Sequence, residues 1–262
     1  MGQGRVLFKQ TENTLSCNRA TGKVKSNTPP PVGMKTVTVI IPVKDEEEGL
    51  RFLLGDYKAS SFSGNSAVEF IFVIDGRTSD DSRKIASEFS QRIIDQKKTH
   101  GKGAAIQQAV EVWKADKTPH VVFMDSDGSY SFDSVMKVLR ALEEGADVVS
   151  GSRFLNGKGR PAGMSRLHSF GNRVLSNISS IRNRRRITDL CTGLWGFNAN
   201  SLELMELQSS GFDLEAELAG RARREGLVHK EVAVSWSQRK GGTSKLRSLT
   251  DGSIIFLRIL RT

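Results

Sequence analysis

His120-Val121-Val122-Phe123-Met124-Asp125-Ser126-Asp127 decides the fold. The first five residues are an apolar run too short for a helix, and they read as a buried strand. Two carboxylates one residue apart, Asp125 and Asp127, then stand at its carboxyl end, where open α/β sheets take their ligands. Carboxylate oxygens, with water and a substrate's phosphate, are the usual ligands of magnesium or manganese. A second run, Val68 to Ile74, ends the same way in Asp75-Gly76. A lone Asp-X-Asp is equally well a solvated turn. Two parallel strands delivering acids to one edge point instead to a nucleoside-diphosphate and metal site.

Working outward, Thr36 to Ile41 reads as a β-branched buried strand. Pro42 ends it, and Asp45-Glu46-Glu47-Glu48 opens a helix whose acids suit its amino-terminal dipole. Helices are expected near 79–90, 103–115 and 132–144, with strands at 92–94, 120–124 and 146–151. Strands separated by helices of this length form βαβ units and a mostly parallel sheet. Beyond about residue 153 come a basic glycine-containing loop, a helix over 165–182, and a glycine-rich stretch around Gly193 and Gly196. Helices near 200–208 and 213–225 and a strand near 231–236 follow. The closing Ser253 to Arg261 is apolar and basic on a helical pattern, fitting either a core-packing terminal helix or an interfacial membrane helix. Residues 1–34 are polar, lack periodicity and finish in three prolines, and so read as a tail.

The chain has 262 residues, enough for a full α/β core, and a formal net charge of +10. That charge calls for an anionic partner: nucleic acid, a membrane surface or phosphorylated substrates. Two cysteines, Cys17 and Cys191, make no disulfide framework and suggest a reducing cytoplasm. Four dispersed histidines make a zinc site improbable. No stretch approaches the roughly 20 apolar residues of a membrane span.

Several blocks in order resemble one family: Val39 to Glu47, Val73 to Asp80, His100-Gly101-Lys102-Gly103-Ala104 and Asp125-Ser126-Asp127-Gly128. Gly151-Ser152-Arg153-Phe154, Thr188 to Gly193, Gly211 to Glu217 and Arg239 to Leu246 complete the set. From residue 36 onward the chain resembles family 2 glycosyltransferases of the GT-A fold, in the branch of polyprenyl- and dolichyl-phosphate sugar synthases such as the dolichyl-phosphate mannose synthases. The resemblance implies one GT-A domain over 35–262, with a donor half to about 153 and an acceptor half from about 154. It departs after the second strand, where Asp75-Gly76-Arg77-Thr78 stands in place of the family's Asp-Asp-Gly-Ser.

The resemblance implies a hexose moved with inversion from a GDP- or UDP-linked sugar to a polyprenyl or dolichyl phosphate. The cofactor would be Mg2+ or Mn2+, held by Asp127 with Asp125. Pro42, Asp45, Asp75, Lys102, Asp125, Ser126, Arg239 and Lys245 would line the donor. Arg153, Arg166 and Ser169 would clamp the acceptor phosphate, guanidinium groups gripping phosphate bidentately. Asp189 would act as base or orient the acceptor. Glu217 matches the family acid better than Glu215, which is expected to face solvent. Arg182 to Arg186 is either a solvated connector or a patch for anionic lipid. The enzyme would sit peripherally at the cytoplasmic face of a membrane, with a membrane-anchoring subunit as a possible partner. Two alternatives stay open: a transferase acting on a soluble phosphorylated metabolite or glycan, and a nucleic-acid-binding protein. The low aromatic content of 7% and the acids at two strand ends speak against nucleic acid.

Overall fold

The structure, a computed structural model, describes residues 36–60, 62–63, 68–96, 100–157, 159–242 and 250–262. The expected tail and Lys245 lie outside the described residues. Seven strands build one sheet: β1 (Val37–Val43), β2 (Val68–Asp75), β3 (Ile93–Gln96), β4 (His120–Met124), β5 (Val148–Ser152), β6 (Leu194–Asn198) and β7 (His229–Ala233). Their order is β3-β2-β1-β4-β6-β5-β7. Every pairing is parallel except those of β6, which runs antiparallel to β4 and to β5.

The strands alternate residues between two cores, as a period of two requires. Val39, Ile41, Phe72, Val122 and Met124 face one side, while Ile40, Ile71, Val73, Val121 and Phe123 face the other. The first core is covered by α1 (Glu47–Ala59), α2 (Ser82–Ser87) and α4 (Phe132–Glu143). The second is covered by α3 (Lys102–Trp113), α6 (Ala199–Leu204), α7 (Leu214–Arg224) and α8 (Thr250–Arg261), with α5 (Arg166–Asn183) beside α7 and α8.

Three expectations are corrected. The helix expected over 79–90 shrinks to α2, because Asp80 accepts hydrogen bonds from the backbone N–H groups of Ser82 and Glu47 and so holds a turn ahead of it. Pro42 does not end its strand, since β1 runs through it to Val43, and the glycine-rich stretch around Gly193 and Gly196, given no element from sequence, holds β6 (Leu194–Asn198) inside the sheet. Gly196 is there because α4 crosses it closely, and a Cβ at this position would lie 2.2 Å from Val138 Cγ1. Gly196→Ala is therefore expected to destabilise the fold by about 1–3 kcal/mol through overpacking. A urea titration checks this, and an unchanged midpoint would contradict the α4–β6 packing.

Helix α5 reverses the usual amphipathic arrangement. Its buried face is polar, made of Ser169, Asn172, Ser176, Ser179 and Asn183. These side chains bond the returning segment 187–191: Leu190 N–H donates to Ser176 Oγ, and Cys191 N–H to Asn172 Oδ1. Its outer face carries Leu167 at 61%, Phe170 at 69% and Ile181 at 81% exposure. Beside it, α8 buries Ile255 and Ile259 but exposes Ile254, Leu257 and Leu260. The core-packing reading of the terminal segment thus holds for the Ile255 and Ile259 face, while the opposite apolar face stays exposed. Among the described residues no helix is long and apolar enough to cross a membrane.

Candidate active site

The carboxyl ends of β1, β2, β3 and β4 open into a cavity of about 1260 Å3. At one end it is walled by Pro42, Asp75, Arg77 and Gln96, and in the middle by Lys102, Asp125, Ser126, Asp127, Arg153 and Arg239. At the far end the wall is apolar, with Phe170, Val174 and Ile178 of α5 facing Ile255 and Leu257 of α8.

Asp75 ends β2 and is gripped by Arg77, whose Nε donates to Oδ1 at 2.9 Å and Nη2 to Oδ2 at 2.8 Å. His100 Nδ1 adds a contact at 3.3 Å. The Arg77 hydrogen bonds pull the Asp75 carboxyl down to about 2. Asp45, expected beside it, is off the cavity wall. Its Oδ1 accepts from Ser79 N–H at 2.8 Å, fastening the turn after β1 to the turn after β2. Glu46 takes the place on the wall and pairs with Arg239.

Asp125 and Asp127 leave β4 as expected. Asp127 Oδ1 accepts from Ser129 N–H at 3.0 Å. Burial, reinforced by the neighbouring Asp125 charge, pushes the Asp127 carboxyl above its usual range. A like-charged pair held this way is suited to a cation. Among the described residues no three acidic, histidine or cysteine side chains converge on one point. The protein's share of a Mg2+ or Mn2+ shell would thus be these two hard-oxygen donors, with diphosphate oxygens and water supplying the rest. The residues present fit that ion.

Lys102, the first residue of α3, reaches Asp125 Oδ1 and Glu215 Oε1, each at 2.6 Å. Burial disfavours its ammonium, but the two carboxylates outweigh that and keep it firmly protonated. Glu215 is accordingly not solvent-facing, as the sequence suggested, but a buried wall of the cavity. Glu217 is buried too, its carboxylate accepting from the N–H groups of Gln208 and Ser209. It holds a loop and does not line the cavity.

Arg153 follows β5. Its Nε donates to Asp189 Oδ2 at 2.6 Å and its Nη2 to Oδ1 at 2.7 Å. Asn172 Nδ2 donates to the same Oδ1 at 2.7 Å. Asp189 is 0% exposed. Its oxygens are spent on Arg153 and Asn172, which corrects the expectation that it acts on the acceptor: it orients Arg153. The expected clamp is corrected as well. Arg166 is exposed at the start of α5 and Ser169 is turned into the helix's buried face, so neither lines the cavity beside Arg153. Asn172, one turn further along, does. Cys191 also lines the cavity, but burial raises its thiol to about 12, so it stays protonated at neutral pH.

Arg239 lies on a segment tied to the acid pair, where Lys240 N–H donates to the Asp127 carbonyl at 2.9 Å. Of the residues missed from sequence, Arg77 carried a signal as the departure from the family pattern. Glu46, Gln96, Asn172 and Trp236 reach the wall only through tertiary placement.

An open, mostly parallel sheet with an acid pair at the end of β4 and a cavity along the carboxyl ends of its strands is the layout of a GT-A glycosyltransferase. The chain belongs to glycosyl transferase family 2, which it matches over residues 38–204. It is 31% identical over 226 residues to Glycosyltransferase AglJ of Haloferax volcanii, covering 86% of this chain and 71% of that protein. It is 29% identical over 223 residues to the dolichyl-phosphate hexose transferase of the same organism, covering 82% and 93%. Its fold is that of glucosyl-3-phosphoglycerate synthase from Mycobacterium tuberculosis, solved with Mn2+, UDP-glucose and phosphoglyceric acid. The TM-score is 0.64 at 18% identity, covering 87% of this chain and 79% of that one.

Proposed function

We propose that this glycosyltransferase moves a hexose from a nucleoside-diphosphate sugar to the phosphate of a polyprenyl or dolichyl lipid, working at a membrane surface. The observation that carries the reading is the cavity's continuity. It runs from Asp75 past Asp127 and Arg153 into an apolar trough between α5 and α8, whose outer faces are themselves apolar. A soluble phosphorylated acceptor has no use for that trough. The dolichyl-phosphate hexose transferase among its relatives supports the same assignment.

The nucleoside lies against Pro42, Asp75 and Gln96, and the diphosphate lies over Asp127 beneath Arg239. A bound Mg2+ or Mn2+, held by Asp127 with Asp125, supplies neutralisation of the charge that develops on the leaving diphosphate. Arg153, fixed by Asp189, holds the acceptor phosphate beyond the sugar. That phosphate needs no strong base, because its second pKa is near 6 and it is largely dianionic at neutral pH. Its oxygen attacks in line and the sugar inverts. The α5 and α8 faces rest on the bilayer, and the basic residues Arg166, Arg173 and Arg182 meet anionic head groups at about 1 kcal/mol each.

The test is transfer from radiolabelled GDP- and UDP-hexoses to polyprenyl phosphate with magnesium or manganese, read by partition. Product in the organic phase is expected; a water-soluble product, or none from any donor, would overturn the reading. Phe170→Asp is expected to weaken binding to vesicles containing anionic lipid about tenfold or more, since it removes a buried aromatic contact from the bilayer. Flotation measures this, and unchanged flotation would remove α5 from the interface.

A further inference from the structure

Glu215 stands in the first turn of α7 and meets the same Lys102 ammonium as Asp125. One ammonium thus serves two carboxylates from different elements, both at 2.6 Å. Lys102 is 14% and Glu215 10% exposed, while Asp125 keeps 32% of its side chain open. Asp125 is fixed on its other side as well. A Cβ at Gly193 would fall 1.8 Å from Asp125 Oδ2, so this carboxylate lies directly on backbone. Two other cations of the cavity wall have acids of their own: Arg239 pairs with Glu46, and Arg153 with Asp189.

Alone with Asp125, Lys102 would cancel its charge and leave Asp127 as the one uncompensated acid facing the diphosphate. Glu215 divides the ammonium between two partners, so three carboxylates stand against one lysine. We propose that Glu215 is a positioning residue which, through Lys102, sets the negative charge Asp125 presents beside Asp127 and so sets the site's affinity for a divalent cation. This rests on the cation-dependent donor binding of the proposed function. It also gives Lys102 a definite sign. As the charge competing for Asp125, it weakens cation binding while it orients the carboxylate.

The experiment is titration of the full chain with Mn2+ in the presence of GDP or UDP, following free manganese by electron paramagnetic resonance. Glu215→Gln is expected to weaken manganese binding about five- to tenfold, and Lys102→Met to tighten it by a similar factor, as charge removal at short range in a partly buried site requires. Opposite signs from the two ends of one ion pair cannot come from loss of structure, which would weaken both. If Glu215→Gln does not fold, Lys102→Met decides alone: tighter binding supports the proposal, and equal or weaker binding overturns it. Unchanged affinity in both variants, or weakening in both, overturns it while the donor reading stands. Absence of nucleotide-dependent manganese binding in the wild-type chain overturns both.

Discussion

Asp127→Asn is expected to lower sugar transfer about a thousandfold or more while leaving the melting temperature unchanged or slightly higher. The two halves of this result have one cause. Asp127 is half-buried and stands beside Asp125, and its desolvation and the neighbouring charge both raise its pKa. A carboxyl whose pKa is raised in the folded state opposes folding when ionised, so neutralising it removes repulsion. Asparagine keeps an oxygen to accept from Ser129 N–H, so the turn after β4 retains its hydrogen bond. What it lacks is the charge that, on the proposed function, would hold a cation against the leaving diphosphate. That charge stabilisation amounts to several kcal/mol in the transition state, and each 1.36 kcal/mol is tenfold in rate. Transfer kinetics with a parallel thermal melt make the measurement. Activity within tenfold of wild type would sink the role given to Asp127. Loss of activity together with a lower melting temperature would mean that the acid serves the fold.

The donor half was legible because its information is local. Strands β1, β2 and β4 are apolar runs, and Asp75 and Asp125 fall at the carboxyl ends of β2 and β4, where the cavity lies. The acceptor half was less so, for three physical reasons. Strand β6 contains Gly196 and follows Gly193, glycines placed by close approach of Val138 and Asp125, and that signal does not appear in strand propensity. Helix α5 buries serines and asparagines and exposes leucine and phenylalanine, so the ordinary rule for choosing its inner face points the wrong way. The family resemblance put Ser169 in the site, and neither it nor the helical pattern singled out Asn172. Helix α7 is buried continuously from Leu214 to Ala222, so the two-residue spacing of Glu215 and Glu217 carries no information about which faces solvent. Asp45 shows the same limit in the donor half. An acid at a helix start reads alike whether it meets a ligand or, as here, ties down the neighbouring turn.

Asp189→Ala is expected to cost about 3–5 kcal/mol of stability and to abolish transfer, the largest structural effect of any single change at this site. Asp189 holds Arg153 through Nε and Nη2 and through the Arg153 backbone N–H at 2.9 Å, and it accepts from Asn172 as well. With the carboxylate gone, a guanidinium that is 11% exposed remains without its counter-ion, and breaking such a pair from one side leaves an uncompensated buried charge. Removing both partners is a different matter. Apolar residues of similar volume in place of a buried pair are often neutral or stabilising, so Arg153→Met with Asp189→Leu is expected to regain most of the lost stability and none of the activity. Chemical denaturation of the two single variants and the double variant supplies the cycle. Asp189→Asn separates orientation from base catalysis: it keeps an oxygen for Arg153, so an orienting role predicts a raised acceptor KM with a modest loss of kcat. A base that removes a proton from the acceptor predicts collapse of kcat with acceptor KM and stability unchanged. That second outcome would return Asp189 to the reacting atoms and contradict the enclosure seen here, in which both its oxygens already serve Arg153.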